Sequence, residues 1–156
     1  MSSSVLTVLL KKRIMGTNYY LHQKPACSHC GHQAKPLHIG KSSFGWHFSL
    51  HVIPEDDIND LDDWKRLWDD PESSITNEYA EVISKDEMFE TITNRRGSKS
   101  WDEHEWSNGW YKTEAQFHRQ NRSERGLNNL LRHRVDGDHC IKNGEGTWDC
   151  IVGEFS

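Results

Sequence analysis

The sequence has few apolar residues and no long apolar run. Of its 156 residues, 34% are hydrophobic, below the usual share for a globular protein, and 28% are charged. No apolar stretch approaches the roughly 20 residues that a transmembrane helix needs. These shortages exclude a membrane-spanning protein and predict one small core. Seven tryptophans supply enough large apolar surface to exclude a disordered chain.

A strong charge of one sign and a cysteine framework are also missing. The formal net charge of −5 argues against a strongly cationic nucleic-acid-binding protein, although ten histidines would offset it in mild acid. Four cysteines in a chain of this length are not typical of a secreted disulfide scaffold. The basic residues 11–13 follow the first apolar run, whereas a signal peptide places them before it. We therefore expect a protein of a reducing cytoplasm.

Local patterns predict an α+β fold, with a small mixed or antiparallel sheet, two or three short helices and a zinc knuckle as a staple. Residues 1–14 are expected to form a poorly ordered leader, and residues 15–156 a single compact domain. Strand-like composition occurs at 17–21 and 36–40. At 46–52 apolar residues alternate with His47, Ser49 and His51, which predicts a strand paired with 36–40 in a hairpin.

Helical periodicity and capping residues predict the positions of the helices. Residues 59–70 carry apolar side chains at three- and four-residue spacing and precede Pro71. Ser84 with Glu87 forms a capping box for a helix within 84–96, and Thr113 with Gln116 caps another over 113–120. Residues 128–135 and 147–155 are predicted as terminal strands on either side of a glycine turn.

The segment CSHCGH, residues 27–32, is the strongest chemical signal in the chain. Thiolates two residues apart before a glycine can wrap one zinc ion, but they supply only half of a tetrahedral site. We predict zinc bound by Cys27, Cys30, His38 and His51, because the hairpin could bring the third strand over the knuckle. Other candidates for the remaining ligands are His22, His47, His139, Cys140 and Cys150. The alternative is four reduced cysteines and no metal.

The zinc site is interpreted as structural, and the protein as more typical of a binder than of an enzyme. A catalytic zinc keeps an open water position and a nearby carboxylate base. Neither HExxH nor the paired zinc motifs of the deaminases occurs in the sequence. No catalytic residue is assigned.

Two segments could hold a phosphate. GKSS, residues 40–43, resembles the end of a phosphate-binding loop, but its first glycine is replaced by Lys35 and a strand follows it. A turn with free amides could still bind phosphate, as could the basic segment near the C-terminus. The candidate residues are Lys41, Ser42, Ser43, Arg132, His133 and Arg134; a solvent-facing turn is the alternative for the first three.

Tryptophans and arginines between residues 95 and 134 suggest an interaction surface. Trp101, Trp106 and Trp110 lie among basic residues, a combination that serves protein interfaces and can also stack on bases. We predict these three tryptophans as an interface. None of the predicted helices has a basic face, so sequence-specific DNA binding is not expected.

The chain also resembles a family of short, uncharacterised bacteriophage proteins. The likeness rests on MGTNYYL from Met15, on CSHCG, on LHIGKSSFGW and on the terminal GEGTWDCIVGEFS, and covers most of residues 15–156. It implies a phage accessory protein in the cytoplasm of a bacterial host. We therefore expect a zinc-stapled, non-enzymatic binder of a host or phage macromolecule, with a role in host takeover or anti-defence. The alternative function is binding or cleaving a small nucleotide.

Overall fold

The fold of the protein is α+β, as the sequence predicts. A computed structural model describes residues 16–94, 97–103, 110–135 and 138–156. In these ranges one mostly antiparallel seven-stranded sheet is joined by a two-stranded sheet and three α-helices. The leader predicted at 1–14 lies outside the described residues. The zinc knuckle of the predicted fold class stays a prediction.

The large sheet contains seven of the nine strands found in the described ranges. The strands are β1 Thr17–His22, β2 Leu37–Ser42, β3 Phe48–Val52, β4 Ser74–Asn77, β5 Val82–Ile83, β6 Ser123–Arg125, β7 Leu131–His133, β8 Cys140–Asn143 and β9 Trp148–Val152. The large sheet has the order β5-β4-β1-β2-β3-β9-β8, while β6 and β7 form the small sheet. Only β3 and β9 run parallel among these pairs; the predicted β2–β3 hairpin is confirmed.

The three described helices begin at side-chain caps. They are α1 Leu61–Trp68, α2 Lys85–Thr93 and α3 Glu114–Gln120. Asp60, Ser84 and Thr113 each accept a hydrogen bond from the amide three residues later. The predicted caps at Ser84 and Thr113 are therefore confirmed. The longest of these helices has nine residues, and no helix in the described ranges has the length and apolarity needed to cross a membrane.

The main core lies on one face of the large sheet, here called the inner face. Leu21, Ile39, Phe48 and Leu50 from β1, β2 and β3 pack with side chains of α1 and α2. Trp64 of α1 is fully buried, and its indole Nε1 donates to the carbonyl oxygen of His51 at 2.8 Å. The helical periodicity of 59–70 therefore marks the stripe of α1 that covers the sheet.

A β-bulge in β2 shapes the centre of the large sheet. Tyr19 pairs with Gly40 and Tyr20 with His38, so the register skips Ile39. A Cβ atom on Gly40 would lie 2.1 Å from the carbonyl oxygen of Ser49 and 2.6 Å from the ring of Phe48. Strands β2 and β3 can therefore approach this closely only because residue 40 has no side chain.

Replacing Gly40 by Ala should unfold the protein or cost more than about 3 kcal/mol, because backbone and a buried ring must both move. Urea denaturation followed by tryptophan fluorescence measures the loss. Gly31→Ala is the matched control, since its Cβ would meet no atom within 4 Å and only the backbone angle φ of +72° opposes it. That strain costs about 1–2 kcal/mol. Equal losses in both variants would contradict the assignment of close packing at Gly40.

Candidate functional site

Polar side chains gather on the face of the large sheet opposite the core, here called the outer face. Tyr20, His38 and His51 alternate with core residues along β1, β2 and β3. Asp149 has the same position on β9, between the core residues Trp148 and Cys150. Two groups result: a histidine pair near the middle of the sheet, and a cluster of charges beside the small sheet.

The histidine pair consists of His38 and His51. Their Nδ1 atoms are 3.2 Å apart, and His51 Nδ1 lies 3.0 Å from the carbonyl oxygen of His38. His38 Nε2 lies 2.9 Å from the side-chain oxygen of Asn18. The ring of Phe155 contacts both imidazoles edge-on, with centroids at 4.9 and 5.1 Å. The C-terminal segment thus covers the pair.

These contacts fix the positions of ring protons, and burial favours the neutral form of both rings. An oxygen can only accept, so His38 Nε2 and His51 Nδ1 carry protons, and His38 Nδ1 keeps its lone pair. Burial, the larger cause, and the adjacent His51 together lower the pKa of His38 to about 4. Burial likewise lowers the pKa of His51. The hydrogen bond to the carbonyl oxygen of His38 has the opposite, smaller effect and raises this pKa. At neutral pH the pair is uncharged.

Acidification should therefore destabilise the protein. Between pH about 6.5, the ordinary pKa of histidine, and about 4 in the folded state, the unfolded chain binds more protons. The free energy of unfolding falls as the pH falls through this window, by at most about 1.4 kcal/mol per pH unit for His38. Urea denaturation at several pH values measures this slope.

His38→Gln should make the slope shallower, while His32→Gln, in an exposed loop, should leave it unchanged. The same pH dependence in His38→Gln and in the wild type would contradict the neutral pair.

The predicted zinc ligands are brought together in pairs, not as a group of four. His38 and His51 are adjacent, and Cys27 and Cys30 lie in one turn. Yet no three His, Cys, Asp or Glu side chains within the described residues form a group that could hold a metal ion. Both cysteines are exposed, in the loop between β1 and β2. Zinc binding itself stays a prediction.

The charge cluster is built around Arg132 of β7. Its Nε lies 3.2 Å from Asp149 Oδ2, and its Nη1 lies 3.4 Å from Glu124 Oε1. Its Nη2 donates to the sulfur of Cys140. The side chains of Arg132 and Asp149 are only 10% and 4% exposed, so this ion pair connects the two sheets in a buried position. His47 Nδ1 lies 3.9 Å from the other oxygen of Asp149.

Removing the charge of Asp149 should destabilise the protein strongly. Asp149→Asn leaves the Arg132 guanidinium buried beside a neutral group, which costs about 3–5 kcal/mol. Glu124→Gln is the control, because Glu124 is 44% exposed and such pairs contribute about 1 kcal/mol or less. Thermal and urea denaturation of both variants measure the difference. Similar stability of the two variants would show that the Arg132–Asp149 pair does not hold the sheets together.

A cavity of about 350 Å³ opens next to this cluster. Arg132, Arg134 and Lys142 supply three positive charges to its lining, and Glu124 supplies one negative charge. The other lining residues are Val135, Cys140 and Asn143. Arg134, Lys142 and Asn143 are exposed, so this cavity presents cations and a carboxamide to solvent. Its chemistry suits an anionic group.

The predicted phosphate-binding residues separate into three groups. Arg132 and Arg134 line the cavity. His133 instead stacks on Trp46, with ring centroids 3.5 Å apart, and its Nδ1 lies 2.9 Å from the carbonyl oxygen of Asn121. Lys41, Ser42 and Ser43 are at the end of β2 and in the turn after it, and are not lining residues of this cavity.

The sequence reasoning missed Asp149, Lys142 and Asn143. Asp149 is a single carboxylate within the otherwise apolar run WDCIV, which could have suggested a buried charged partner. His47, which the alternation places on a polar strand face, is only 3% exposed. The outer face is covered by the small sheet at that point, as the hydrogen bond from His47 N to the carbonyl oxygen of Leu131 shows.

The tryptophans of the predicted interface differ in their surroundings. Trp101 is half-buried and stacks on His118, with centroids 4.0 Å apart and an interplanar angle of 8°. Trp110 is 83% exposed. Trp106 lies outside the described residues. The interface stays a prediction that the described part of the chain supports at Trp110.

Comparison of the chain with known protein families, with curated proteins and with solved structures finds no match. The resemblance to short phage proteins therefore stays a prediction. The function of the protein is therefore inferred from its own residues.

Proposed function

We propose that the cavity beside β7 and β8 binds the phosphate group of a small ligand, and that the protein is a binding protein without catalytic activity. One observation carries this proposal: Arg132, Arg134 and Lys142 converge on a single cavity, together with the carboxamide of Asn143. Guanidinium and ammonium groups form strong, charge-assisted hydrogen bonds to phosphate oxygens.

The positions of the three cations support different roles. Arg132 is buried and held by Asp149 and Glu124, so its guanidinium has a set orientation at the base of the cavity. Arg134 and Lys142 are exposed at the rim, where they can reach an entering anion. Because the guanidinium of Arg132 is already oriented, binding a phosphate costs little conformational entropy there, while the side chains at the rim can adjust to the ligand.

The same lining argues against cleavage of the ligand. Burial raises the pKa of the Cys140 thiol, so the reactive thiolate is disfavoured at neutral pH. None of the described lining residues is a histidine, and Glu124 is paired with Arg132. The described part of the lining thus offers no activated nucleophile and no unpaired general base. Val135 is the one large apolar residue among the described lining residues, so the cavity suits the phosphate end of a ligand better than a nucleobase.

Isothermal titration calorimetry with inorganic pyrophosphate and with ATP, at low ionic strength, tests this proposal. The double variant Arg134→Gln, Lys142→Gln should weaken binding of either ligand at least about tenfold, because each charge-assisted hydrogen bond contributes about 1.5–3 kcal/mol. Both residues are exposed, so folding should persist.

The matched control is Lys112→Gln with Arg119→Gln, which removes the same two charges at exposed positions that do not line this cavity. The control should bind as the wild type does. Equal weakening in the two double variants, or no binding to the wild type, would overturn the proposal.

A second proposal is binding of a host or phage macromolecule through the surface at Trp110, favoured by the 83% exposure of its side chain. Large exposed aromatic side chains are frequent centres of protein interfaces. Trp110→Ser would then abolish the complex while leaving pyrophosphate binding unchanged.

A further inference from the structure

The loop between β1 and β2 holds two cysteines in the geometry of a metal knuckle. Cys27 and Cys30 lie in one turn of this loop, and both side chains are exposed. Gly31, with φ of +72°, turns the chain directly afterwards, and its amide donates to the carbonyl oxygen of Cys27 at 2.8 Å. A further bond from Cys27 N to the carbonyl oxygen of His32, at 2.7 Å, closes the loop.

Two cysteines in one tight turn can both bind the same metal ion. Soft thiolates select Zn²⁺ and similar ions. A tight turn with a glycine after the second cysteine differs from the helix start at which reactive disulfide-forming pairs are usually placed.

The knuckle supplies only half of a tetrahedral site. Zinc in structural sites takes four protein ligands. Within the described ranges, no third His, Cys, Asp or Glu side chain lies where it could bind a metal ion together with the two cysteines. His38 and His51 are paired with each other beneath Phe155 instead. The other two ligands must come from elsewhere.

Exposure makes the knuckle accessible to another chain. All residues from 23 to 35 are exposed. Gln33 and Pro36, near the return of the loop to β2, line a second cavity with residues of β1 and β4, so the base of the loop lies beside these strands. The cysteines lie in the exposed part of the loop.

The charge of this loop fits a site shared by two copies of the chain. Residues 23–36 include Lys24 and Lys35 and no Asp or Glu. Four thiolates around one Zn²⁺ carry a net charge of about −2, which four lysines of two such loops would offset. Without metal, two positively charged loops repel each other, so association would depend on the ion.

We infer that one Zn²⁺ joins two copies of this protein, with Cys27 and Cys30 of each copy as its four ligands. In this arrangement the cysteine pair of the second copy takes the place of His38 and His51, the other two zinc ligands that the sequence predicts. It is independent of the phosphate-binding cavity, whose residues it does not use.

Titration of the reduced, full-length protein with Co²⁺ tests this inference, because absorption of Co²⁺ reports both coordination number and thiolate ligation. The expected endpoint is one metal per two chains, with the intense absorption of tetrahedral cobalt bound by four sulfurs. Analytical ultracentrifugation should show a dimer with Zn²⁺ and a monomer after a chelator is added. Cys27→Ser and Cys30→Ser should each abolish metal-dependent dimer formation without unfolding, since both positions are exposed.

Two controls separate this site from the alternatives. Cys140→Ser should retain full metal binding and dimer formation. His38→Gln with His51→Gln should do so as well; loss of the metal in this variant would favour a site within one chain and overturn the inference. One metal per monomer, or no metal bound by the reduced wild-type protein, would also overturn it.

Discussion

The buried ion pair between Arg132 and Asp149 is the contact on which the second half of the structure depends. It joins the small sheet, β6 and β7, to β9 in the large sheet, and both side chains are almost fully excluded from solvent. Removing two charges from water is costly, so such a pair persists only where each partner compensates the other. Glu124 and Cys140 complete the surroundings of the guanidinium. Because Arg132 also lines the cavity, the contact that docks the small sheet also orients the base of the proposed phosphate site.

The histidine pair shows how the same sheet accommodates polar side chains without charge. His38 and His51 satisfy each other, Asn18 and a backbone carbonyl, and Phe155 shields them from water. Burial lowers their pKa values and keeps them neutral. Their nitrogen spacing of 3.2 Å is also close to the ~3.3 Å between two ligands of a tetrahedral zinc. The pair packs against the C-terminal segment through Phe155, and zinc binding by these two histidines stays a prediction.

The proposed phosphate site and the proposed zinc bridge use separate parts of the molecule. The two cysteines lie in the loop between β1 and β2, near the middle of the strand order, whereas the cavity lies at its end, beside β8. A zinc-bridged dimer would therefore carry two phosphate sites on one particle. Two linked sites bind a ligand with two anionic groups, or a surface with many, more tightly than one site does.

Local patterns in the sequence determined most of the elements. The caps at Ser84 and Thr113, the alternation in 46–52 and the stripe of α1 are interactions between near neighbours, which a sequence displays directly. The short strands β4, β5, β6 and β8 were missed, since two to four residues carry too little periodicity. The turn at CSHCG was also evident, because both of its cysteines lie close together in the sequence; zinc binding there stays a prediction.

Only the tertiary structure decided which distant residues meet. The parallel pairing of β3 with β9 places Asp149 opposite Ser49, and the docking of β7 then brings Arg132 to that carboxylate. No local signal predicts such contacts, because they depend on strand order and on which face of a sheet is covered. His133 and Arg134 are adjacent in sequence, yet one stacks on Trp46 and the other lines the cavity, since consecutive residues of an extended chain point in opposite directions.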